Sequence, residues 1–159
     1  MPFQDNYFDV TISSTVMEEV DADRMLEEMV RVTRPGGRVA VIVRAMDMLW
    51  VANLPLREDL KADFAENPGP SDESACADAS LYRRFHEAGL TNVKMFPQMA
   101  IFDSSVESRP WLEFVIAYRT ATFGPEEKKE FQDAVVQAKT DGTFFFAQPH
   151  HCAVGTKPI

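Results

Sequence analysis

Three hydroxyl side chains stand together at the end of a strand predicted near the amino terminus. Ser13, Ser14 and Thr15 close the stretch Phe8 to Val16, in which β-branched residues alternate with small polar ones. This pattern predicts a strand with one strongly apolar face. Open parallel sheets bind ligands at the carboxyl ends of their strands, so these hydroxyls are candidate ligand contacts. The alternative is that they cap nearby backbone groups.

Charged residues follow this strand and the next predicted one. Glu18 and Glu19 occupy the turn after the first strand, where a carboxylate could bind a substrate amine or act as a general base. The alternative is a solvated acidic turn. Arg44 and Asp47 follow the second strand at the same edge of the sheet. The Arg44 guanidinium could bind a substrate carboxylate through two hydrogen bonds, or it could form an ordinary surface ion pair.

The histidines and cysteines do not predict a metal centre or a nucleophile. His150, His151 and Cys152 are consecutive, and alternate side chains of a strand point to opposite faces. Only His150 and Cys152 could therefore share a metal, and two ligands are too few. Cys76 and Cys152 are the chain's two cysteines. They are predicted to be free thiols, with one disulfide as the alternative.

The elements that position these residues form a βαβ unit. Asp21 is a candidate N-cap for a helix whose apolar residues recur at helical spacing over residues 25–32. Pro35-Gly36-Gly37 is predicted to end that helix. The sequence RVAVIVR at Arg38 to Arg44 is typical of a buried strand in a parallel sheet. A βαβ unit implies a right-handed crossover.

Further elements are predicted downstream, and the whole of residues 1–159 is predicted to be one α/β domain. These elements are a helix at Ser80 to Ala88, a strand at Val93 to Phe102, a helix at Trp111 to Thr122, a helix between Gly124 and Gly142, and a final strand at Thr143 to Val154.

Composition excludes several classes of partner. Lys plus Arg is 16 against 25 for Asp plus Glu, giving a net charge of −9. Such an acidic chain is unsuited to a nucleic-acid groove or to an anionic membrane surface. No apolar run approaches the ~20 residues that span a bilayer. The first ten residues do not have the pattern of a signal peptide, so we expect a cytoplasmic protein.

Five segments resemble those of one family, in the same order along the chain. They are PFQDNYFDV at 2–10, VMEEV at 16–20, RVTRPGGR at 31–38, EAGL at 87–90 before Val93, and residues 144–157, which close with GTK. Together they resemble the class I S-adenosylmethionine-dependent methyltransferases of the type 11-like group. The resemblance is close over the first quarter and weaker elsewhere.

This resemblance implies a fold and a set of contacts. The fold is a partial Rossmann-like sheet that holds the family's strands four to seven, mostly parallel with an antiparallel last strand, flanked by helices. Residues 13–15 would then line the cofactor, S-adenosylmethionine. Glu18, Glu19 and Arg44 would lie on the substrate side.

The family holds its cofactor mainly with elements that precede the segment matching Pro2. These are a glycine-rich turn, an acidic residue for the ribose and an Asp-containing turn beside the adenine. The seven glycines here are at 36, 37, 69, 89, 124, 142 and 155, and no pair has the G-x-G spacing. The sequence therefore resembles a carboxyl-terminal portion, about 100 residues short of a typical member. We expect the isolated chain to bind S-adenosylmethionine weakly or not at all.

A sheet that begins with the family's fourth strand would leave residues 8–16 as an apolar edge. Exposed edges invite pairing with another chain. We expect a second copy to cover this edge or the helix faces beside it, since twofold dimers are the commonest closed assembly. A separate amino-terminal polypeptide is the alternative partner.

The predicted function is methyl transfer to an unidentified small-molecule acceptor. No covalent protein nucleophile is needed, because the reaction depends mainly on positioning. Two alternatives stay open: a dimeric, non-catalytic interaction module, and the carboxyl-terminal half of a split methyltransferase.

Overall fold

The computed structural model describes residues 1–67, 69, 72–103 and 109–159, which form an α/β structure. The strands are β1 (Phe8–Ser14), β2 (Thr33–Arg44), β3 (Val51–Asn53), β4 (Thr91–Asp103) and β5 (Phe145–Thr156). The α-helices are α1 (Ala22–Val32), α2 (Glu58–Ala65), α3 (Ser80–Glu87), α4 (Arg109–Arg119) and α5 (Pro125–Thr140). A 3-10 turn at Met17–Glu19 links β1 to α1.

The βαβ unit is present as predicted. β1 and β2 are parallel, with Val10 opposite Arg38. Asp21 is the N-cap of α1, and its carboxylate accepts a hydrogen bond from the backbone N–H of Arg24 at 3.0 Å. This bond satisfies one of the free N–H groups at the start of the helix.

The Pro-Gly-Gly segment does not end the helix, and that prediction is wrong. α1 ends at Val32, because the backbone turns extended at Thr33, with φ −80° and ψ 135°. The Thr33 N–H and hydroxyl both donate to the last-turn carbonyl of Met29. Pro35 to Gly37 already lie within β2. A Cβ on Gly37 would lie 2.8 Å from the carbonyl oxygen of Asp9 in β1. Glycine is therefore needed there because the two strands approach closely.

The chain divides into two compact units, and the prediction of one domain over residues 1–159 stays a prediction. The first unit comprises Met1–Met48, Pro68–Gln98 and Pro149–Ile159. Its sheet has the order β1-β2-β5, and β4 also pairs with β5. β5 runs antiparallel to β2, which confirms the predicted antiparallel last strand.

The two faces of the first unit's sheet differ in burial. Val39, Val41 and Val43 of β2 are fully buried in a core that α1 and α3 complete. Val10 and Ile12 of β1 pair with Arg38 and Ala40, which alternate with those valines and so lie on the opposite face. Val10 is 49% exposed and Ile12 69% exposed.

The second unit comprises Leu49–Asn67 and Met99–Gln148. β3 pairs antiparallel with the start of β5, and α2, α4 and α5 pack around Phe64, Phe131 and Phe146, which are fully buried. The sequence predicts α4 and α5 but neither β3 nor α2. Among the helices that the structure describes, none is long and apolar enough to cross a membrane.

Candidate functional site

Polar side chains gather at one end of the first unit's sheet. β1 and β2 both end there, with Ser14 opposite Ile42, and β5 passes alongside, with His150 opposite Arg44. We call this group the strand-end cluster. Its members are Ser13, Ser14, Thr15, Glu18, Glu19, Arg44, Asp47 and His151.

The three predicted hydroxyls occupy different environments. Ser13 is buried, and its Oγ has no hydrogen-bond partner among the described residues. Ser14 and Thr15 are exposed. Thr15 adopts a φ of 53°, and its N–H donates to the carbonyl of Ile42 at 2.8 Å. A β-branched residue is strained in this left-handed region, and such strain is concentrated at ligand sites.

Glu18 and Glu19 are both bound to Arg44, across the turn and the strand end. Glu18 is 1% exposed, and its Oε1 accepts from Arg44 Nε at 2.7 Å and from the Arg44 backbone N–H at 3.3 Å. Arg44 also donates to the exposed Glu19. Glu18 is thus not part of a solvated turn, since a buried carboxylate requires such a partner.

Burial alone would lower the pKa of the Arg44 guanidinium. Its hydrogen bonds to Glu18 and Glu19 outweigh burial and raise that pKa above its ordinary value. Arg44 is therefore a permanent cation beside two carboxylates. The second oxygen of Glu18, Oε2, is buried with no hydrogen-bond partner among the described residues.

An Asp–His pair completes the cluster, and sequence reasoning missed it. His151 Nε2 lies 2.7 Å from Asp47 Oδ1, and Asp47 Oδ2 accepts from the Ala79 backbone N–H at 3.1 Å. A carboxylate can only accept, so a neutral His151 donates from Nε2 and keeps the lone pair of Nδ1 for an incoming proton. The sequence offered one signal for this pair. A last strand antiparallel to β2 places residues 150–151 beside the carboxyl end of β2.

The two thiols lie apart from this chemistry. Cys76 and Cys152 are free and buried. Burial raises the pKa of both thiols, so neither is a ready thiolate nucleophile. No group of three or more metal-binding side chains occurs among the described residues.

A groove of about 410 Å³ runs along β1 and α1, next to the cluster. Its walls are mainly apolar and include Val10, Ile12, Met25 and Met29, while Ser13 and Ser14 lie at its polar end. The strand-end cluster therefore adjoins the groove beside β1.

Comparisons with known proteins show similarity to methyltransferases. Residues 1–41 match the family model described as a methyltransferase domain. The ubiquinone/menaquinone biosynthesis C-methyltransferase UbiE of Francisella tularensis is 32% identical over 108 residues, covering 59% of this chain and 43% of that protein. UbiE of Burkholderia cenocepacia is 36% identical over 110 residues, covering 67% of this chain and 41% of that protein. The matches thus span less than half of these relatives.

A solved structure of a candidate methyltransferase from Bacillus halodurans has the same fold. Its TM-score is 0.53 at 15% identity, and the match covers 100% of this chain and 74% of that one. The architecture is that of an α/β methyltransferase. The chain is thus similar to methyltransferases in sequence and in fold, which confirms the resemblance that its motifs predict.

The strand-end hydroxyls offer few contacts to S-adenosylmethionine. Ser13 Oγ is buried without a hydrogen-bond partner among the described residues, and Thr15 Oγ1 donates to the carbonyl of Ser14. The glycines of this sheet do not lie beside the strand-end hydroxyls, because Gly36, Gly37 and Gly155 lie toward the opposite end of β2. A backbone turn that closely approaches the methionine part of S-adenosylmethionine would have to come from residues outside the strand-end cluster.

Proposed function

We propose that this chain forms the carboxyl-terminal part of an S-adenosylmethionine-dependent methyltransferase of the UbiE type, acting on a small-molecule acceptor. The observation that carries the proposal is the strand-end cluster, in which the Glu18–Arg44 and Asp47–His151 pairs both lie at the carboxyl ends of two parallel strands. Ligands of open α/β sheets bind at such ends.

The cofactor, when bound, supplies an electrophilic methyl group. Residues 13–15 would contact it through their hydroxyls. We expect weak or absent binding by the isolated chain, because these contacts are few compared with those of a complete site. The matched relatives are more than twice as long as the aligned part, which supports completion by a further segment or by a separate polypeptide.

We propose that the cluster also supplies the general base that methylation at carbon requires. The relatives are named as C-methyltransferases, and a carbon that gains a methyl group must lose a proton. His151 can accept that proton at Nδ1 while Asp47 stabilises the imidazolium through Nε2. We propose that Glu19, which is exposed beside Arg44, orients the acceptor.

Calorimetric titration with S-adenosylhomocysteine tests the first part of the proposal. The isolated chain should bind weakly, and adding a polypeptide that contains the amino-terminal half of a UbiE relative should produce binding. Absence of binding in the assembled sample would contradict the proposal. It would favour a non-catalytic interaction module, for which the exposed β1 is the supporting observation.

The assembled protein allows a test of the proposed base. His151→Ala should reduce methyl transfer to a ubiquinone or menaquinone precursor by about 10²-fold or more while leaving S-adenosylhomocysteine binding unchanged. His86→Ala is the matched control, because His86 lies on α3 against Tyr82 rather than in the cluster. Equal activity of the two variants would exclude His151 as the base.

A further inference from the structure

A groove of about 470 Å³ lies between α4 and α5, within the second unit. Its floor is mainly apolar and is formed by Ile116, Ala117, Phe131, Val135 and Val136. Sites for small molecules have a mainly apolar lining with a few polar groups, and they measure about 300–1,000 Å³. The groove therefore has the size and the composition of a small-molecule site.

The groove follows the axis of α5. The lining residues of this helix recur every three or four positions from Lys128 to Lys139, which places them on one face. At 1.5 Å per residue this stripe is about 16 Å long. Such a length suits a linear apolar chain better than a compact ring system.

The groove leaves apolar surface in water. The Val136 side chain lines it and yet is 65% exposed. Its neighbour Val135 is buried in the core of the second unit. An apolar chain lying in the groove would remove Val136 surface from water, which favours binding.

Two lysines place positive charge in the lining. The Lys128 amine donates to the carbonyl of Ala121 at 3.4 Å. The Lys139 amine lies 5.0 Å from the centre of the Phe144 ring. Neither amine has a carboxylate within ion-pair distance among the described residues, although the chain carries 25 acidic residues. Lys128 therefore keeps two N–H donors for an anionic ligand.

Glu113 determines which end of the groove suits an anion. It is the one carboxylate in the described lining, and it stands about 9 Å before the end of α4 at Arg119. Lys128 lies beside that end of α4, because its amine reaches the Ala121 carbonyl. An anionic group at Lys128 is thus separated from Glu113, and an apolar tail would extend toward Lys139.

We propose that this groove binds a long-chain fatty acid, with the carboxylate at Lys128 and the tail along Val135 and Val136 toward Lys139. The apolar floor, the length of the stripe and the cation at one end all match an unbranched chain with one anionic head. The site lies wholly within the second unit, and this inference does not rest on methyl transfer.

Isothermal titration of the 159-residue chain with sodium laurate, below the concentration at which it forms micelles, gives the first test. We expect one site with a dissociation constant of about 10–100 μM, as is usual for a ligand of this size. Val136→Asp should weaken binding about tenfold or more, because the tail would desolvate the new carboxylate. Gln137→Asp is the matched control, since it adds the same charge at the next position of α5, which does not line the groove. Its dissociation constant should equal that of the native chain.

A pair of lysine variants tests the position of the head group. Lys128→Gln should weaken laurate binding about threefold to fivefold, because it removes an exposed charge pair. Lys129→Gln is the control, because Lys129 pairs with Asp133 and does not line the groove. Lauryl alcohol has the same tail without the charge, so it should bind both variants equally.

Three results would overturn the proposal. They are absence of laurate binding, equal binding by Val136→Asp and Gln137→Asp, and equal weakening in the two lysine variants. Competition with a synthetic amphipathic helical peptide of acidic charge adds a further test. A peptide that binds along the groove and is not displaced by laurate would assign this surface to a protein partner instead.

Discussion

The ion pair with Arg44 offsets the free-energy cost of burying the Glu18 carboxylate. Without the guanidinium, a carboxylate that is 1% exposed would lose the charge that compensates its burial, which costs free energy. The same contact holds the 3-10 turn after β1 against the end of β2. The ion pair therefore fixes the geometry of the strand-end cluster as well as its charge.

Arg44→Ala should lower the free energy of unfolding by about 2 kcal/mol, less than for a fully buried pair because Arg44 is one-third exposed. Urea unfolding at one protein concentration measures the change. Arg83→Ala is the control, since Arg83 pairs with Glu87 on the exposed surface of α3 and should change stability by less than about 0.5 kcal/mol. Similar losses in both variants would contradict this role for Arg44.

At the scale of elements, Gly37 determines how closely β1 and β2 can approach. Gly37→Ala should destabilise the chain by about 2 kcal/mol, because the new Cβ would meet backbone oxygens that cannot move without shifting a strand. Gly124→Ala is the matched control: its Cβ would have its nearest contact at 3.5 Å, from the flexible Glu127 side chain. We expect the control to lose less than about 1 kcal/mol.

Thermal and urea unfolding should both show Gly37→Ala to be less stable than Gly124→Ala. If Gly37→Ala were as stable as the native chain, the approach of Asp9 to Gly37 would not constrain the strands.

Periodicity in the sequence predicts β1, α1, β2, α3, β4, α4, α5 and β5, because each carries a long apolar pattern with a clear beginning or end. It misses β3 and α2 for physical reasons. β3 has only three residues, and α2 buries only Leu60 and Phe64. The end of α1 is misplaced because the backbone already becomes extended at Thr33, two residues before Pro35.

The strand-end cluster is partly predictable for a topological reason. Parallel β1 and β2 must end at the same edge, so residues 13–15, Glu18, Glu19 and Arg44 are brought together by the βαβ unit. The contact between Asp47 and His151 joins residues 104 positions apart, and no local pattern encodes it. The burial of Glu18 is likewise set by tertiary packing and not by its neighbours in sequence.

At the scale of the whole molecule, the acidic surface opposes association while the neutral edge of β1 favours it. Each copy carries −9, so two copies repel, and salt screens this repulsion. Any self-association of the chain should therefore strengthen between ~20 and ~300 mM sodium chloride, because the Debye length shortens from ~20 to ~6 Å. Sedimentation equilibrium measures the association, with sucrose of equal osmolality as the control. Association that weakens with salt would indicate attraction between charges instead.

The free edge of β1 also bears on colloidal stability. The isoelectric point is near 4.8, so mild acidification removes the long-range repulsion that keeps additional copies apart. Residues 10–16 contain no proline and no charge, the composition of segments that stack into cross-β fibrils. Pairing of β1 with a strand of another segment would remove this stretch from fibril growth. Acid-induced aggregation should accordingly start from chains in which the free side of β1 is unpaired.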